Sequence, residues 1–273
     1  MSEIHLPASR KPPFTFFAMS ALALIVGWTA APSVTAQEAT FDNGTWNTIL
    51  ETHVDENGWV DYKAVRAKHR DTLKAYIRDL GKATVDKLKS KEEKMAFWIN
   101  AYNAVCVQTL LDNDIPESVP RAVFFGKNIF KERTYRVGGK IRSLEDIEHG
   151  ILRKVYKDPR IHATLVCGAS SCPRLRPEAY SGEKLNAQLD EESQRWVQVG
   201  KDKSGKRKNR LDRASKTYYV SKIFDWFEGD FGRGEAGVLN FLKKHGSKED
   251  AEFLNRNKVR IKYLDYSWKI NSK

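Results

Sequence analysis

The stretch Met95-Ala-Phe-Trp-Ile-Asn-Ala-Tyr-Asn-Ala-Val-Cys-Val107 constrains this chain more than any other. It is apolar almost all the way round a helical wheel, and a helix with no polar face must be covered on every side. The pattern predicts a helix over 94–111 at the centre of the fold. Ala96, Ile99, Asn103, Cys106 and Leu110 fall on one side of it, and Asn100 lies one turn before Asn103. A buried amide needs partners for two donors and an acceptor oxygen. Two readings of Asn100 and Asn103 stand open. They clamp a neighbouring backbone, or they orient a reacting group in a cleft. Cys106, on the same helix, reads as a small core hydrophobe.

The rest of the chain supplies the cover. Residues 45–54 predict a short helix, and apolar Leu73, Tyr76, Ile77 and Leu80 have helical spacing. Tyr135 to Ile141 predicts a hairpin turning at Gly138-Gly139. Ser143 and Asp146 have the spacing of a helix N-cap box. The helix that follows should place Leu144, Ile147, Ile151 and Val155 on one face, with Glu148 and His149 at its sides, and Asp158-Pro159 should end it. Ile161 to Cys167 alternates and predicts a strand. Leu185, Leu189 and Trp196 mark another helix. Residues 201–210, with six Lys or Arg in ten, predict a solvated basic turn before the strand Thr217–Val220. Helices follow over 222–231 and 237–245, and a last strand over 259–263. Helices and strands alternate with no long linker. The expected fold is α/β or α+β, a single compact domain over 37–273 with a buried central helix and a mixed or antiparallel sheet.

Residues 1–36 read as a signal peptide. Arg10 and Lys11 precede the apolar run Phe14–Trp28, and Val34-Thr35-Ala36 offers small residues for cleavage near Ala36. An uncleaved anchor is the alternative. No later stretch reaches 18 uninterrupted apolar residues, so the mature chain is expected not to span a membrane. Export places the protein in the periplasm or outside the cell and permits disulfides. The formal net charge of +12 suits an anionic partner, such as an envelope glycan or lipid surface. Nucleic acid is not expected: export separates the chain from DNA, and the basic turn lacks the interleaved aromatics that stack bases.

The most chemically loaded stretch is His162-Ala-Thr-Leu-Val-Cys167-Gly-Ala-Ser-Ser-Cys172-Pro173. On a regular strand His162 and Cys167 point to opposite faces, whereas Cys172, in a loop, can approach either. His162 with Cys172 is therefore the expected pair, since a neighbouring imidazolium raises the reactive thiolate fraction. Glu148 or Asn100 could orient the imidazole. Three readings of Cys167 and Cys172 stay open. They close a small disulfide, provide a nucleophilic or redox-active thiol, or share a metal with His162 or His149. The metal reading lacks a second ligand pair, and no metal or cofactor is expected.

The segments Phe97-Trp-Ile-Asn-Ala-Tyr-Asn-Ala104, Ser143-Leu-Glu-Asp-Ile-Glu-His-Gly-Ile-Leu-Arg153 and Asp158 to Pro173 together resemble the domain of unknown function 547 family. Val60-Asp-Tyr62 and Ser221 to Phe231 add to the resemblance, which spans about residues 57–271. Ser267, in Tyr266-Ser-Trp268, stands where the family tends to carry an acid. Some relatives join this domain to a glutaredoxin-like one, which implies thiol chemistry. The layout is also similar to transglutaminase-like and papain-like folds. That likeness would keep His162 in place but puts the nucleophile near Trp98 to Asn103, where this chain has no cysteine.

Two functions are consistent with these residues. One is a thiol-dependent hydrolase or transferase, with Cys172 as nucleophile, His162 as base and Cys167 as a second thiol. Glu148, Asn100 and Asn103 would support that site. The other is a non-catalytic envelope binding module, with a structural Cys167–Cys172 disulfide and a basic face for an anionic ligand.

Overall fold

Helix α4 (Lys91–Asp112) forms the middle of the structure, a computed structural model that describes residues 40–119 and 129–273. Ser90 caps it by accepting from the Glu93 N–H, and Glu92 and Glu93 place negative charge on its positive end. Every residue from Met95 to Leu111 is buried. The amphipathic helices α1 (Gly44–His53), α2 (Tyr62–Lys68) and α3 (Arg70–Lys82) cover it with Trp46, Leu50, Leu73 and Leu80. Helix α5 (Ile129–Glu132) leads into the hairpin β1 (Thr134–Val137) and β2 (Lys140–Ser143), which is antiparallel and turns at Gly138-Gly139 as expected.

A second apolar cluster lies around Trp196, Phe224, Phe231 and Phe241. It draws on α6 (Leu185–Gln198), the short helices α7 (Ile223–Trp226) and α8 (Glu228–Phe231), and α9 (Gly234–His245). Helix α10 (Lys248–Arg256) follows. A three-stranded sheet runs in the order β3 (Arg210–Asp212), β4 (Thr217–Val220), β5 (Arg260–Tyr263), antiparallel then parallel. The fold is α+β, with two small sheets, one antiparallel and one mixed, against a helical majority. None of the described helices is long and apolar enough to cross a membrane. The expected signal peptide, residues 1–36, lies outside the described residues.

Three local expectations are corrected. Ile161–Cys167 is not a strand. Asp158 caps a 3₁₀ helix, Pro159–Ala163, with Pro159 at its start, and Thr164 folds back to Ile161 through both its N–H and its hydroxyl. The Thr164 carbonyl and Val166 N–H that a ladder would need are both taken by Asn103. The second correction concerns the helix after Ser143. The cap box forms, with Ser143 and Asp146 exchanging hydrogen bonds, but Asp146–Tyr156 winds as a π-helix. Its wider turn brings residues five apart into line. Ile147 and Leu152 are therefore the buried pair, while Val155 turns out to solvent. Thirdly, the basic turn is not solvated throughout, because Lys208 and Asn209 are buried.

Candidate functional site

Losing the strand changes the geometry of the loaded stretch. With no strand parity to separate them, His162, Cys167 and Cys172 all line one cavity of about 250 Å³. Its walls are mainly apolar, with Leu144, Leu165 and Ile223 below an aromatic mouth. In that mouth Tyr266 packs against Trp226 and Trp268, with ring centroids 4.8 and 4.6 Å apart, and Trp226 is partly exposed. An apolar cavity with a few convergent polar groups is the usual form of a small-molecule site.

Cys167 and Cys172 are joined as a disulfide, with Cα atoms 6.5 Å apart. Cys167 is half-buried and Cys172 is buried. The Cys172 sulfur accepts from the Cys167 N–H at 3.2 Å and lies 3.0 Å from the Tyr266 hydroxyl, which is 3.5 Å from the Cys167 sulfur. Burial, reinforced by the charge of Glu148, raises the Tyr266 phenol well above its ordinary range. Tyr266 therefore stays protonated and can donate to sulfur. The loop between the cysteines is fixed from outside. Ser170 N–H donates to the Lys269 carbonyl, Ser267 N–H to the Ser171 hydroxyl, and Asn271 N–H to the Gly168 carbonyl. Gly168 has φ +84°, and a Cβ there would stand 2.5 Å from Leu110 of α4, so a larger residue would push the loop off the helix.

His162 is buried in the cavity wall. Its ring stacks on Phe227, centroids 4.5 Å apart, and its Nε2 is 2.7 Å from Asp230 Oδ2. Asp230, on α8, also receives Arg153 through Nε at 2.5 Å and Nη2 at 3.1 Å. Burial works against ionisation of Asp230, but the hydrogen bonds from His162 and Arg153 outweigh it and hold the carboxyl well below the usual range. A permanent carboxylate thus fixes one imidazole nitrogen. Arg153 reaches His149 Nδ1 at 3.1 Å, one turn away on the π-helix.

The remaining expected site residues have other partners. Glu148 lines the cavity and accepts from the Tyr102 hydroxyl at 3.0 Å. Burial, and then Glu148 itself, raises the Tyr102 phenol. Asn100 donates to the Tyr180 carbonyl and accepts its N–H. Asn103 does the same for Thr164 and Val166. Both amides face backbone, and Asn103 fixes the segment joining His162 to Cys167. The acid on His162 is Asp230, in place of the expected Glu148 or Asn100. Asp230, Arg153 and Tyr266 were each inside the segments that resemble the family, but no spacing rule links residues so far apart in the chain. Cys106 is free and buried, and burial raises its thiol far above the usual range. Among the described residues, no three His, Cys, Asp or Glu side chains gather as metal ligands would.

The comparisons with known proteins fit this picture. No curated protein matches the chain. No solved structure matches it either. A family model does match residues 85–197, which include α4, the π-helix, His162 and both cavity cysteines, while Asp230 and Tyr266 lie beyond the match. Through that stretch the chain is similar to the family described as Protein of unknown function, DUF547.

Proposed function

We propose that this protein is a thiol-dependent enzyme that exchanges the Cys167–Cys172 disulfide with a small-molecule thiol entering the cavity. The observation that carries this reading is the unequal setting of the two sulfurs. Cys167 is half-buried at the cavity, while Cys172 is buried beneath two hydrogen-bond donors. In exchange, an entering thiol gives its proton to His162 and its sulfur attacks the Cys167 sulfur. A mixed disulfide forms and the bond to Cys172 breaks, so Cys172 leaves as thiolate. The Cys167 N–H and the Tyr266 hydroxyl stabilise that charge, and a stabilised leaving thiolate speeds exchange. A second equivalent of thiol resolves the mixed disulfide, giving the external disulfide and a reduced Cys167–Cys172 pair. The Cys172 sulfur faces both of these donors. Its burial argues against attack on a bulky acyl substrate and for exchange at sulfur.

A second reading is a structural staple in a non-catalytic module, supported by the dense pinning of the 168–172 loop to residues 267–271. Titration of the folded protein with glutathione separates the two, with the modified cysteine located by mass spectrometry. Exchange predicts that glutathione opens the bridge without unfolding and that the mixed disulfide sits on Cys167. A bridge that resists glutathione until the chain is unfolded overturns the proposal in favour of the staple.

A further inference from the structure

A second cleft, of about 530 Å³, lies beside the basic turn. Arg174, Arg195, Lys201, Lys203, Arg207 and Lys208 line it, against the two acids Glu192 and Asp202. Arg174 is neutralised, because it forks onto Glu192 at 2.8 and 2.6 Å. The other oriented cations are not. Arg195 donates to the Glu56 carbonyl, Lys203 to that of Ser272, Arg207 to that of Gln198 and Lys208 to that of Cys172. Neutral carbonyls direct these cations without cancelling their charge. Asp202 offsets part of it, since its charge acts on Lys208, but its Oδ1 accepts from Ser204 and the Lys206 N–H to build the turn and makes no ion pair with any of these four cations.

Two further features mark the cleft wall. The Arg195 Nε is a buried donor with no partner. Lys208 is 8 % exposed, with its ammonium 5.9 Å from the Trp59 ring centroid. Burial pushes its pKa down to about 7. An ammonium held out of water without a carboxylate is costly, and an anion brought beside it removes much of that cost.

We infer that this cleft is a binding site for a small polyanion of the phosphate class, held by Arg195, Arg207 and Lys208. A guanidinium presents a planar fork that suits phosphate oxygens, and charge-assisted bonds are the strong ones. The excess of cations over acids favours a ligand with more than one negative charge. This site is independent of the thiol reading: it uses none of the residues of the disulfide cavity as ligands, and it stands if glutathione leaves the bridge intact.

Isothermal titration of the full folded protein with inorganic pyrophosphate tests it, with potassium chloride at matched ionic strength as the control. Saturable one-to-one binding is expected, and Arg195→Gln and Arg207→Gln should each weaken it about tenfold, the loss of one charge-assisted hydrogen bond. Lys208→Met should weaken it similarly. Should that variant fail to fold, the two arginine variants carry the test, with circular dichroism confirming their fold. Heat that does not saturate, binding that matched chloride reproduces, or binding that both arginine variants leave intact each overturns the site.

Discussion

Asp230 Oδ2 lies 2.7 Å from His162 Nε2 and joins two segments 68 residues apart in sequence. The same carboxylate accepts two bonds from Arg153, so one side chain on the four-residue helix α8 anchors both the histidine and the π-helix.

Asp230→Asn should therefore cost about 1.5–3 kcal/mol of stability, the range for hydrogen bonds to charged groups. The effect depends on pH. Asp230 is depressed in the folded state and titrates near 4 when unfolded, so its contribution is complete above about pH 4 and is lost as pH falls further. Urea unfolding between neutral and acid pH should show the wild type losing stability faster than the variant in the acid range. Parallel losses would mean that the pair contributes nothing.

The Tyr266 hydroxyl faces both sulfurs, 3.0 Å from Cys172 and 3.5 Å from Cys167. Tyr266→Phe should slow reduction of the bridge by glutathione about tenfold, as one hydrogen bond to a thiolate is withdrawn. Thermal unfolding of the oxidised variant should change little. An unchanged reduction rate would show that the phenol does not stabilise the leaving sulfur.

Lys208 gives a different pH signature. Its folded pKa is about 7 against about 10.4 in an unfolded chain, so the unfolded state holds the extra proton between those values. Stability from this group rises with pH over that window, and the cost of the buried ammonium is full below it. Denaturation at pH 7 and pH 10 should show the wild type gaining a few kcal/mol, about the scale of such a shift, relative to Lys208→Met. A constant difference between the two proteins would mean that Lys208 is not desolvated in solution.

Asn103 satisfies one carbonyl and one N–H of the segment between His162 and Cys167. Asn103→Ala leaves both buried groups unpaired, at about 2–6 kcal/mol in total. Near-ultraviolet circular dichroism should change with it, since Tyr266 and Trp268 pack on the loop this segment leads into. A variant as stable as the wild type would show that the loop holds its place without α4.

Much of the architecture was legible because its causes are local. The uniformly apolar run from Met95 forced a buried helix, and the glycine pair at 138–139 forced the hairpin turn. The Ser143–Asp146 spacing announced a cap. The failures have tertiary causes. Ile161–Cys167 alternates like a strand, but Pro159 starts a tight helix and Asn103, 61 residues from Thr164, takes the hydrogen bonds a ladder would use. The helix face was misplaced because sequence periodicity assumes the α-helical turn, and the wider π turn exchanges Val155 for Leu152. At the site, His162 and both cysteines were named from sequence, whereas Asp230 and Tyr266 were not, since each arrives from a distant segment that only the fold brings near.

The two halves of the sulfur centre form over very different stretches of chain. Cys167 and Cys172 are separated by five positions, and closing so short a loop costs little entropy, folded or not. Tyr266 is 94 residues beyond Cys172, and its arrival needs the segment that carries it to dock. A bridge made early in folding would therefore be an ordinary one. It acquires its donor, and with it any unusual reactivity, only when the native structure is complete, so heat or urea should abolish that reactivity at the point where the tertiary fold is lost, while leaving the covalent bond intact.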